Sequence, residues 1–291
     1  MRTLELIVAS EDAGRTLGAL LRSRLHLSAH RIASLKFSNG ITLDGTVSHT
    51  DIHVQAGQVI QVLLRDAPAA LVPYDIPINI PYRDEDLLIV DKPAPLAAIH
   101  GAQPDGHSLE NAIFAALGCP ETYVYRPVSR LDKGTSGLMP VALNAHVHDR
   151  MQRLLHTADY IREYLAVTEG APKDDKGVCC LPIGHADGVK RCIAPDGKPA
   201  VTHYRVLQRT ANGRTLIRLR LETGRTHQIR VHMQALGCPV AGDWLYGTPL
   251  PELPGRFALH SAYLAFTHPL TGEKLIFESP LPEGLSALLR E

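Results

Sequence analysis

The chain of 291 residues is 45% hydrophobic and 21% charged, and its formal net charge is zero. This composition is that of an ordinary globular protein, and no apolar run reaches the ~18 residues of a membrane span, so fibrous, disordered and membrane-spanning classes are excluded. The start of the chain reaches acidic residues after a very short apolar stretch, which is unlike a signal peptide. Five cysteines at irregular spacings argue against a disulfide framework. We therefore expect a cytoplasmic protein that does not enter a membrane.

Basic residues are concentrated in two segments. Residues 15–36 contain five Lys or Arg residues and no Asp or Glu, and residues 214–230 contain five arginines and one glutamate. Such segments can attract phosphates. For either segment alone, a solvated surface with scattered arginines is the more common explanation.

The densest group of metal-binding residue types is formed by Cys179, Cys180, His185 and Cys192. It contains no CxxC pair, and adjacent cysteines chelate a metal poorly. The sequence therefore predicts no metal site.

The first predicted unit, residues 1–65, combines two short basic helices with hairpin strands. In GRTLGALLRSRLH, leucines recur at helical spacing with arginines on the other side. Ser28 is placed to cap a second helix, HRIASLKFSNG, which Gly40 ends. An Asp-Gly hairpin signal in ITLDGTV and the alternating strand VQAGQVIQVLL complete a compact αβ module.

The second and larger predicted domain, residues 75–291, follows a linker at residues 66–74 that is rich in Ala and Pro. DLLIVDKP and IREYLAVTEG are predicted strands, and TLIRLRLETG alternates as a half-exposed strand does. HSLENAIFAALG, with Ser108 as its cap, and NAHVHDRMQRLLHTAD are predicted helices. Helices interspersed with antiparallel strands indicate an α+β fold and not a doubly wound parallel sheet.

RLDKGTSGL places a carboxylate between two cations at a turn. Asp132 lies between Arg130 and Lys133 and is followed by Gly134 and Gly137. Glycines allow a tight bend and the close approach of a ligand, and a Thr-Ser pair can hydrogen-bond the amides of its own turn. A nearby cation favours an ionised aspartate, as a nucleophile or a base requires. A polar turn between two strands gives the same pattern, so this segment alone is a weak signal.

LETGRTHQIRVHMQALG, residues 221–237, joins a strand to a helix that is predicted to begin near Thr226. Arg225 lies on the turn, where a guanidinium can point across a cleft towards a carboxylate or a phosphate. Gln228 and Arg230 add polar groups on the following turns. A surface helix with a basic face is the alternative, and it is favoured for this segment alone.

Tyr164, in IREYLAV, has two interpretations. It is either a core tyrosine with a hydrogen-bonded hydroxyl or a ring in a cleft on which a flat base stacks.

RPVSRLDKGTSGL, IREYLAV and LETGRTHQIRVH, in this order and at this separation, resemble the RluA family of pseudouridine synthases. DLLIVDKPAPL, GDWLYG and LHSAYLAFTHPLTG match the family as well, so the resemblance covers roughly residues 75–280. Residues 1–65 look similar to the S4-type RNA-binding module that often precedes this domain. The resemblance implies an α+β catalytic domain on a mixed, mainly antiparallel sheet with a central cleft, preceded by a small αβ S4-like module.

The resemblance also implies roles for single residues. Asp132 corresponds to the family's catalytic aspartate, Arg225 to the arginine that pairs with it, and Tyr164 to the tyrosine that stacks on the target base. The other expected substrate-binding residues are Arg130, which would hold the uridine out of its helix, and Lys133, Thr135, Gly137, Gln228 and Arg230. In the S4-like module, the expected RNA-binding residues are Arg22, Arg24, Arg31 and Lys36.

The implied reaction is the isomerisation of uridine to pseudouridine in structured RNA, without a cofactor. The N1–C1′ bond breaks, the base rotates and a C5–C1′ bond forms, after the base has left its stack. Asp132 attacks the sugar, adds to the base or removes a 2′ proton, and the sequence does not choose among these. We expect a monomer that acts on large-subunit ribosomal RNA, with transfer RNA as the next candidate.

Two other classes of function compete with this one. A non-catalytic RNA-binding protein of the same fold would have no chemical need for Asp132, Tyr164 and Arg225 together. A hydrolase of glycosidic bonds would need a second acid near Asp132, and Glu163 and Glu222 are unconvincing candidates.

Overall fold

Residues 2–64 fold around an antiparallel sheet of their own in the structure, a computed structural model that describes residues 2–64, 71–99 and 107–290. The sheet has the strand order β1-β4-β2-β3, and its strands are β1 (Arg2–Ile7), β2 (Ile41–Leu43), β3 (Thr46–Val47) and β4 (Val59–Leu64). Helices α1 (Leu17–Ser23) and α2 (Ala29–Phe37) pack their leucines against it and form a separate core.

Two local predictions for this unit are confirmed. Asp44 and Gly45 have φ angles of 50° and 79°, because the two-residue turn between β2 and β3 requires left-handed backbone. The Ser28 hydroxyl accepts a hydrogen bond from the Arg31 amide at 3.2 Å and so caps α2.

The rest of the chain forms a nine-stranded mixed sheet, which confirms the α+β class. Its order is β5-β6-β7-β14-β8-β13-β12-β9, with β15 paired to β14, and β7 and β14 are parallel. Its strands are β5 (Asn79–Arg83), β6 (Leu87–Lys92), β7 (Ser136–Ala142), β8 (Ile161–Glu169), β9 (Lys176–Cys179), β12 (Thr202–Arg209), β13 (Arg214–Leu221), β14 (Leu259–Thr267) and β15 (Lys274–Glu278). A separate hairpin consists of β10 (Ile183–His185) and β11 (Arg191–Ile193).

Helices cover both faces of this sheet. They are α3 (Leu109–Ala116), α4 (Ala145–Leu154), α5 (Gln228–Ala235) and α6 (Glu283–Ser286), and short 3-10 turns lie at Ser10–Asp12 and Ala287–Leu289. Residues of α3 and α5 share one core with Leu88 and Val90 of β6, whereas residues of α4 share another with Leu87 and Ile89. Burial on both faces explains why DLLIVDKP is an unbroken apolar run.

Side chains cap the helices at their predicted starts. Ser108 accepts from the Asn111 amide at the start of α3, and Asn144 accepts from the Val147 amide at the start of α4. The helix predicted near Thr226 begins two residues later, at Gln228.

The predicted linker at residues 66–74 lies partly outside the described residues. Residues 71–74 have no regular structure, and Val72 and Tyr74 are tied to α3 through hydrogen bonds with Asn111. In the described parts of the chain, every helix is too short or too polar to cross a membrane.

Candidate functional site

A cleft of about 510 Å³ opens on the α5 side of the large sheet. The turn before β7, strand β8 and the turn before α5 supply most of its wall. It contains eight of the nine predicted catalytic and substrate-binding residues: Arg130, Asp132, Lys133, Thr135, Tyr164, Arg225, Gln228 and Arg230. The tertiary structure therefore brings together three segments that are far apart in the sequence.

The ninth residue, Gly137, serves the packing of two strands. Its φ is 109°, and a Cβ at this position would lie 2.3 Å from the carbonyl oxygen of Ser261 on β14. Only glycine lets β7 approach β14 so closely. The substrate-binding role predicted for Gly137 is therefore replaced by a structural one.

Asp132 is held in an ion pair with Arg230. The Arg230 Nη1 atom donates to Asp132 Oδ2 at 3.0 Å, and the same guanidinium binds both carboxylate oxygens of the buried Asp243, at 2.7 and 2.9 Å. Its Cζ lies 4.2 Å from the ring centroid of Phe257. Burial opposes the charge of Arg230, but hydrogen bonds and charge from Asp243 and Asp132 outweigh burial and raise its pKa.

The predicted pairing of Asp132 with Arg225 is wrong. Arg225 lines the same cleft, but its Nε atom donates to the carbonyl oxygen of Pro199 at 2.9 Å. Its backbone amide donates to the Gln228 side chain at 2.9 Å. The turn between β13 and α5 thus directs Arg225 away from Asp132, and Arg230, the third residue of α5, takes its place.

Gln228 holds this turn together. Its Oε1 atom accepts from the Thr223 hydroxyl and the Arg225 amide, and its Nε2 atom donates to Val201 and Thr202. Because both ends of the amide are engaged within the protein, Gln228 has a structural role in this turn, and its contact with substrate stays a prediction.

The imidazole of His227 approaches the same carboxylate oxygen of Asp132 as Arg230 does. Its Nε2 atom lies 3.9 Å from Asp132 Oδ2, and its Nδ1 atom is 2.8 Å from the Tyr246 hydroxyl. The Tyr246 oxygen also accepts from the Arg191 amide at 2.8 Å, so Tyr246 joins His227 to the backbone of β11. Burial lowers the pKa of His227, although Asp132 opposes that shift.

Lys92, at the end of β6, is fully buried behind the turn that carries Asp132. Its Nζ atom donates to the carbonyl oxygens of Pro93, Leu96 and Lys133 at 3.0, 2.8 and 3.4 Å. Burial lowers its pKa from 10.5 to about 7, and the charge of Asp132 acts in the opposite direction. Lys92 therefore ties β6 to the turn of Asp132 through backbone oxygens.

Tyr164 lies on β8 with a buried ring that lines the cleft. Burial raises the pKa of its hydroxyl, which is hydrogen-bonded to Ser261. The phenol therefore stays protonated at neutral pH, and the ring is held still beside the cavity. Both interpretations of this residue apply at once, since the ring belongs to the core and borders the cleft.

The remaining predicted residues differ in how accessible they are. Arg130 and Lys133 are exposed at the cleft, whereas Thr135 is buried and its amide closes the turn by donating to the Asp132 carbonyl oxygen at 3.0 Å. In the N-terminal unit, Arg22 and Lys36 are exposed and Arg31 is half-buried. Arg24 pairs with Glu11 and Asp12, and its contact with RNA stays a prediction.

Sequence reasoning missed Lys92, Asp243 and Tyr246 as parts of the site, and it counted His227 only as one of the polar groups that follow Arg225. Each lay in a quoted segment, and the available signals were the lysine that ends an apolar strand in DLLIVDKP and the acidic and aromatic residues in GDWLYG.

One group of described residues, Asp84, Asp86 and His268, has the spacing of metal ligands. Most of its ligand atoms are engaged: Tyr82 donates to Asp84, Asn144 donates to Asp86, and the amides of Leu270 and Thr271 donate to His268 Nδ1. The Nε2 atom of His268 lies 3.1 Å from Asp84 but makes no hydrogen bond with the described residues. We assign no metal to this group.

A model of the family described as RNA pseudouridylate synthase matches residues 86–235, which include Lys92, Asp132, Tyr164 and Arg230. The chain belongs to this family. It is accordingly an RNA pseudouridine synthase, an isomerase that acts on RNA.

The similarity to relatives extends over nearly the whole chain. Ribosomal large subunit pseudouridine synthase D of Xanthomonas campestris pv. campestris is 36% identical, with 98% of this chain and 91% of that protein covered. The enzyme of the same name from Vibrio vulnificus is 39% identical, with 90% and 85% covered. An uncharacterized RNA pseudouridine synthase of Bacillus subtilis, YjbO, is 36% identical, with 91% and 95% covered.

Solved structures of pseudouridine synthases share the fold. Human RNA Pseudouridylate Synthase Domain Containing 1 matches with a TM-score of 0.58 and 28% identity, over 70% of this chain and 83% of that one. Human RNA Pseudouridylate Synthase Domain Containing 4 matches with a TM-score of 0.57 and 26% identity, over 72% and 90%.

Proposed function

We propose that this synthase isomerises a flipped-out uridine in large-subunit ribosomal RNA and that Asp132 is its catalytic carboxylate. The observation that carries the proposal is that Asp132 is the only carboxylate among the described residues that line the cleft. A hydrolase of glycosidic bonds needs two carboxylates, so the same observation argues against that alternative.

The geometry of Asp132 indicates which of its oxygens reacts. Arg230 Nη1 and His227 Nε2 both face Oδ2, at 3.0 and 3.9 Å. Oδ1 accepts no hydrogen bond from the residues that the structure describes, and the carboxylate is 28% exposed. We assign Oδ1 as the atom that meets the ribose or the base, while Oδ2 anchors the group.

The walls of the cleft suit a flipped nucleotide. Extrusion of a base costs a few kcal/mol, which phosphate contacts can offset. Arg130, Lys133, Arg162 and Arg225 line the cleft and supply such contacts. Tyr164 borders the same cavity, and stacking on an aromatic ring is worth about 1–3 kcal/mol per base.

The reaction also moves a proton, because the carbon that joins the ribose loses its hydrogen and N1 gains one. His227 presents its Nε2 atom to Asp132 Oδ2 at 3.9 Å, and burial raises the pKa of the Tyr164 phenol, which also borders the cleft. We propose that these groups and Asp132 are the ones that exchange protons with the base.

The RNA target is proposed from the relatives. Two of them carry the name ribosomal large subunit pseudouridine synthase D, so we place this chain's target uridine in large-subunit ribosomal RNA. All five cysteines are free thiols, which fits the proposed cytoplasmic location. Pseudouridine mapping of ribosomal and transfer RNA from cells with and without the gene tests the target. A site that disappears only from transfer RNA would refute the ribosomal assignment.

Asp132→Asn tests the catalytic assignment. We expect loss of pseudouridine formation on the mapped RNA, with a thermal unfolding temperature and an RNA affinity close to those of the parent protein, because the amide keeps the size of the side chain. Asp51→Asn, at an exposed position outside the cleft, is the matched control and should stay active. Turnover at the parental rate by Asp132→Asn would refute the assignment, and release of free uracil by the parent protein would favour a hydrolase.

A further inference from the structure

A second cavity lies where the N-terminal unit meets the catalytic domain. The Ser28 hydroxyl, at the start of α2, donates to the carboxylate of Asp149 on α4 at 3.3 Å. Beside this contact is a cavity of about 510 Å³ that we call the junction groove. Its wall consists of His26 from the N-terminal unit, Arg150, Arg153 and Leu154 from α4, and residues 157–159 and 267–272 in part. The groove is therefore built by both units.

Two arginines in this groove have no acidic partner. Arg150 is half-buried and Arg153 is exposed one turn further along α4. No carboxylate of the described residues lies within 4 Å of either guanidinium. Burial, and then the neighbouring charge of Arg153, lowers the pKa of Arg150. Like charges three positions apart destabilise a helix, so this pair is maintained at a cost in stability.

The pKa of His146 is lowered by burial and by the same excess of positive charge. His146 is buried on α4, and burial followed by the charge of Arg150 lowers its pKa to about 4, with further lowering from His26 and Arg31. Asp149 alone among the named neighbours acts in the opposite direction. Cations of both units therefore converge on this point.

The carboxylates near the groove do not neutralise these cations. Asp149 accepts from Ser28, and Asp84 pairs with His268 on the groove wall. Asp159 lines the groove, but it makes no ion pair with the other described residues. An added anion would therefore find two guanidinium groups that are available for hydrogen bonding.

The groove and the catalytic cleft are separated only by the end of α4. Gln152, Leu155 and His156 line the cleft, whereas Arg153 and Leu154 line the groove. A nucleic acid strand that leaves the cleft across this last turn meets Arg153 and then Arg150. Arginine is the side chain that best suits phosphate, because its planar fork donates two parallel hydrogen bonds.

We propose that the junction groove binds the phosphate backbone of the same RNA whose target uridine enters the cleft. This inference rests on the proposed function and adds the place where the flanking strand is held. It assigns the affinity for RNA to a surface shared by the two units, with Arg150 and Arg153 as its phosphate ligands.

The test is the double substitution Arg150→Gln and Arg153→Gln, assayed with an in vitro transcript of large-subunit ribosomal RNA. We expect kcat/KM to fall about tenfold through a rise in KM, and the slope of log affinity against log salt concentration to become shallower by about 1 to 2. Arg209→Gln is the matched control, since Arg209 is an exposed arginine that pairs with Asp175, and it should change neither quantity. An unchanged KM and salt slope in the double variant would overturn the proposal.

A second measurement separates phosphate binding from a structural role. Because the two arginines repel each other, Arg153→Gln should raise the melting temperature of the RNA-free protein by about 1 °C while it weakens RNA binding. A lower melting temperature together with unchanged RNA affinity would identify a structural role and reject the groove. Failure of the proposed function looks different, because Asp132→Asn would then remain active whatever the groove variants do.

Discussion

Arg230 joins the exposed carboxylate of Asp132 to the buried carboxylate of Asp243. The side chain of Arg230 is 4% exposed and that of Asp243 is fully buried, so both depend on each other for hydrogen bonds. Asp243 also accepts from the amides of Leu245 and Tyr246. Asp132 is therefore positioned by a chain of charged groups that is anchored in the interior.

Substituting the two arginines of this segment separates their roles. Arg230→Gln leaves Asp243 buried without its cation, which costs about 3–5 kcal/mol of folding free energy, and should lower kcat on the order of 10²-fold or more. Arg225→Gln removes one hydrogen bond to Pro199, worth about 1 kcal/mol, and should lower kcat less than about tenfold. Denaturant unfolding and single-turnover kinetics on both variants measure these effects, and the reverse ranking of kcat would contradict the pairing.

Lys92 makes the stability of the fold depend on pH. Because its folded-state pKa of about 7 lies below that of the unfolded chain, the unfolded chain binds more protons from pH 7 to about pH 10, and the free energy of unfolding rises with pH over that window. The contribution is about 2 kcal/mol between pH 7 and pH 9. Chemical denaturation at both pH values should show this increment for the parent protein and its loss in Lys92→Met. Equal increments in the two proteins would show that Lys92 keeps an ordinary pKa.

At the scale of elements, the site depends on how closely the turn of Asp132 packs against the segment before β14. A Cβ on Gly134 would lie 2.6 Å from the Phe257 ring, and that ring lies against the guanidinium of Arg230. The start of α5 is equally constrained, because His227 adopts a φ of 59° and Gln228 closes the turn before it. The turn of Asp132, the segment before β14 and the turn before α5 therefore together position the ion pair between Asp132 and Arg230.

Gly134→Ala tests this packing. The added methyl group must displace the Phe257 ring, which should cost about 1–3 kcal/mol and lower kcat more than RNA affinity, because Arg230 moves with the ring. Gly284→Ala, in α6 where a Cβ meets open space, is the control and should be neutral or slightly stabilising. Thermal unfolding and steady-state kinetics provide the readout, and a fully active Gly134→Ala would show that the ring does not position Arg230.

At the scale of the whole molecule, the N-terminal unit and the catalytic domain have separate cores. The core of the first unit contains only residues of the 2–64 segment, whereas the cores on the two faces of the large sheet draw on residues from 87 onwards. A defect in one core should therefore lower stability locally. The junction groove is the place where such a defect would reach RNA binding.

Leu20→Ala tests this independence. Leu20 is fully buried in the N-terminal core, and truncation of such a leucine costs about 2–5 kcal/mol. Hydrogen exchange should accelerate in β2 and β4 and stay unchanged in β8 and β13, while the affinity for RNA falls. Leu109→Ala, at an equally buried position in the other unit, should accelerate hydrogen exchange in β8 and β13 and leave it unchanged in β2 and β4. Acceleration of exchange in both units by either variant would show that they unfold together.

Much of this protein was predictable from local patterns, because those patterns act over a few residues. The caps at Ser108 and Asn144, the hairpin at Asp44 and the alternation of β13 all follow from short-range hydrogen bonding and burial. The α+β class and membership of the pseudouridine synthase family followed from the combined motifs.

The sequence by itself thus determined the kind of enzyme and eight residues that line its cleft, since each motif carries its own chemistry. Only the tertiary structure decided which arginine pairs with Asp132. That choice depends on where α5 begins and on the backbone angle of His227. The side chain of Arg225 contacts Pro199, whereas that of Arg230, five residues later, contacts Asp132. The contacts of Lys92 and the walls of the junction groove were decided in the same way, because they join segments that no local pattern relates.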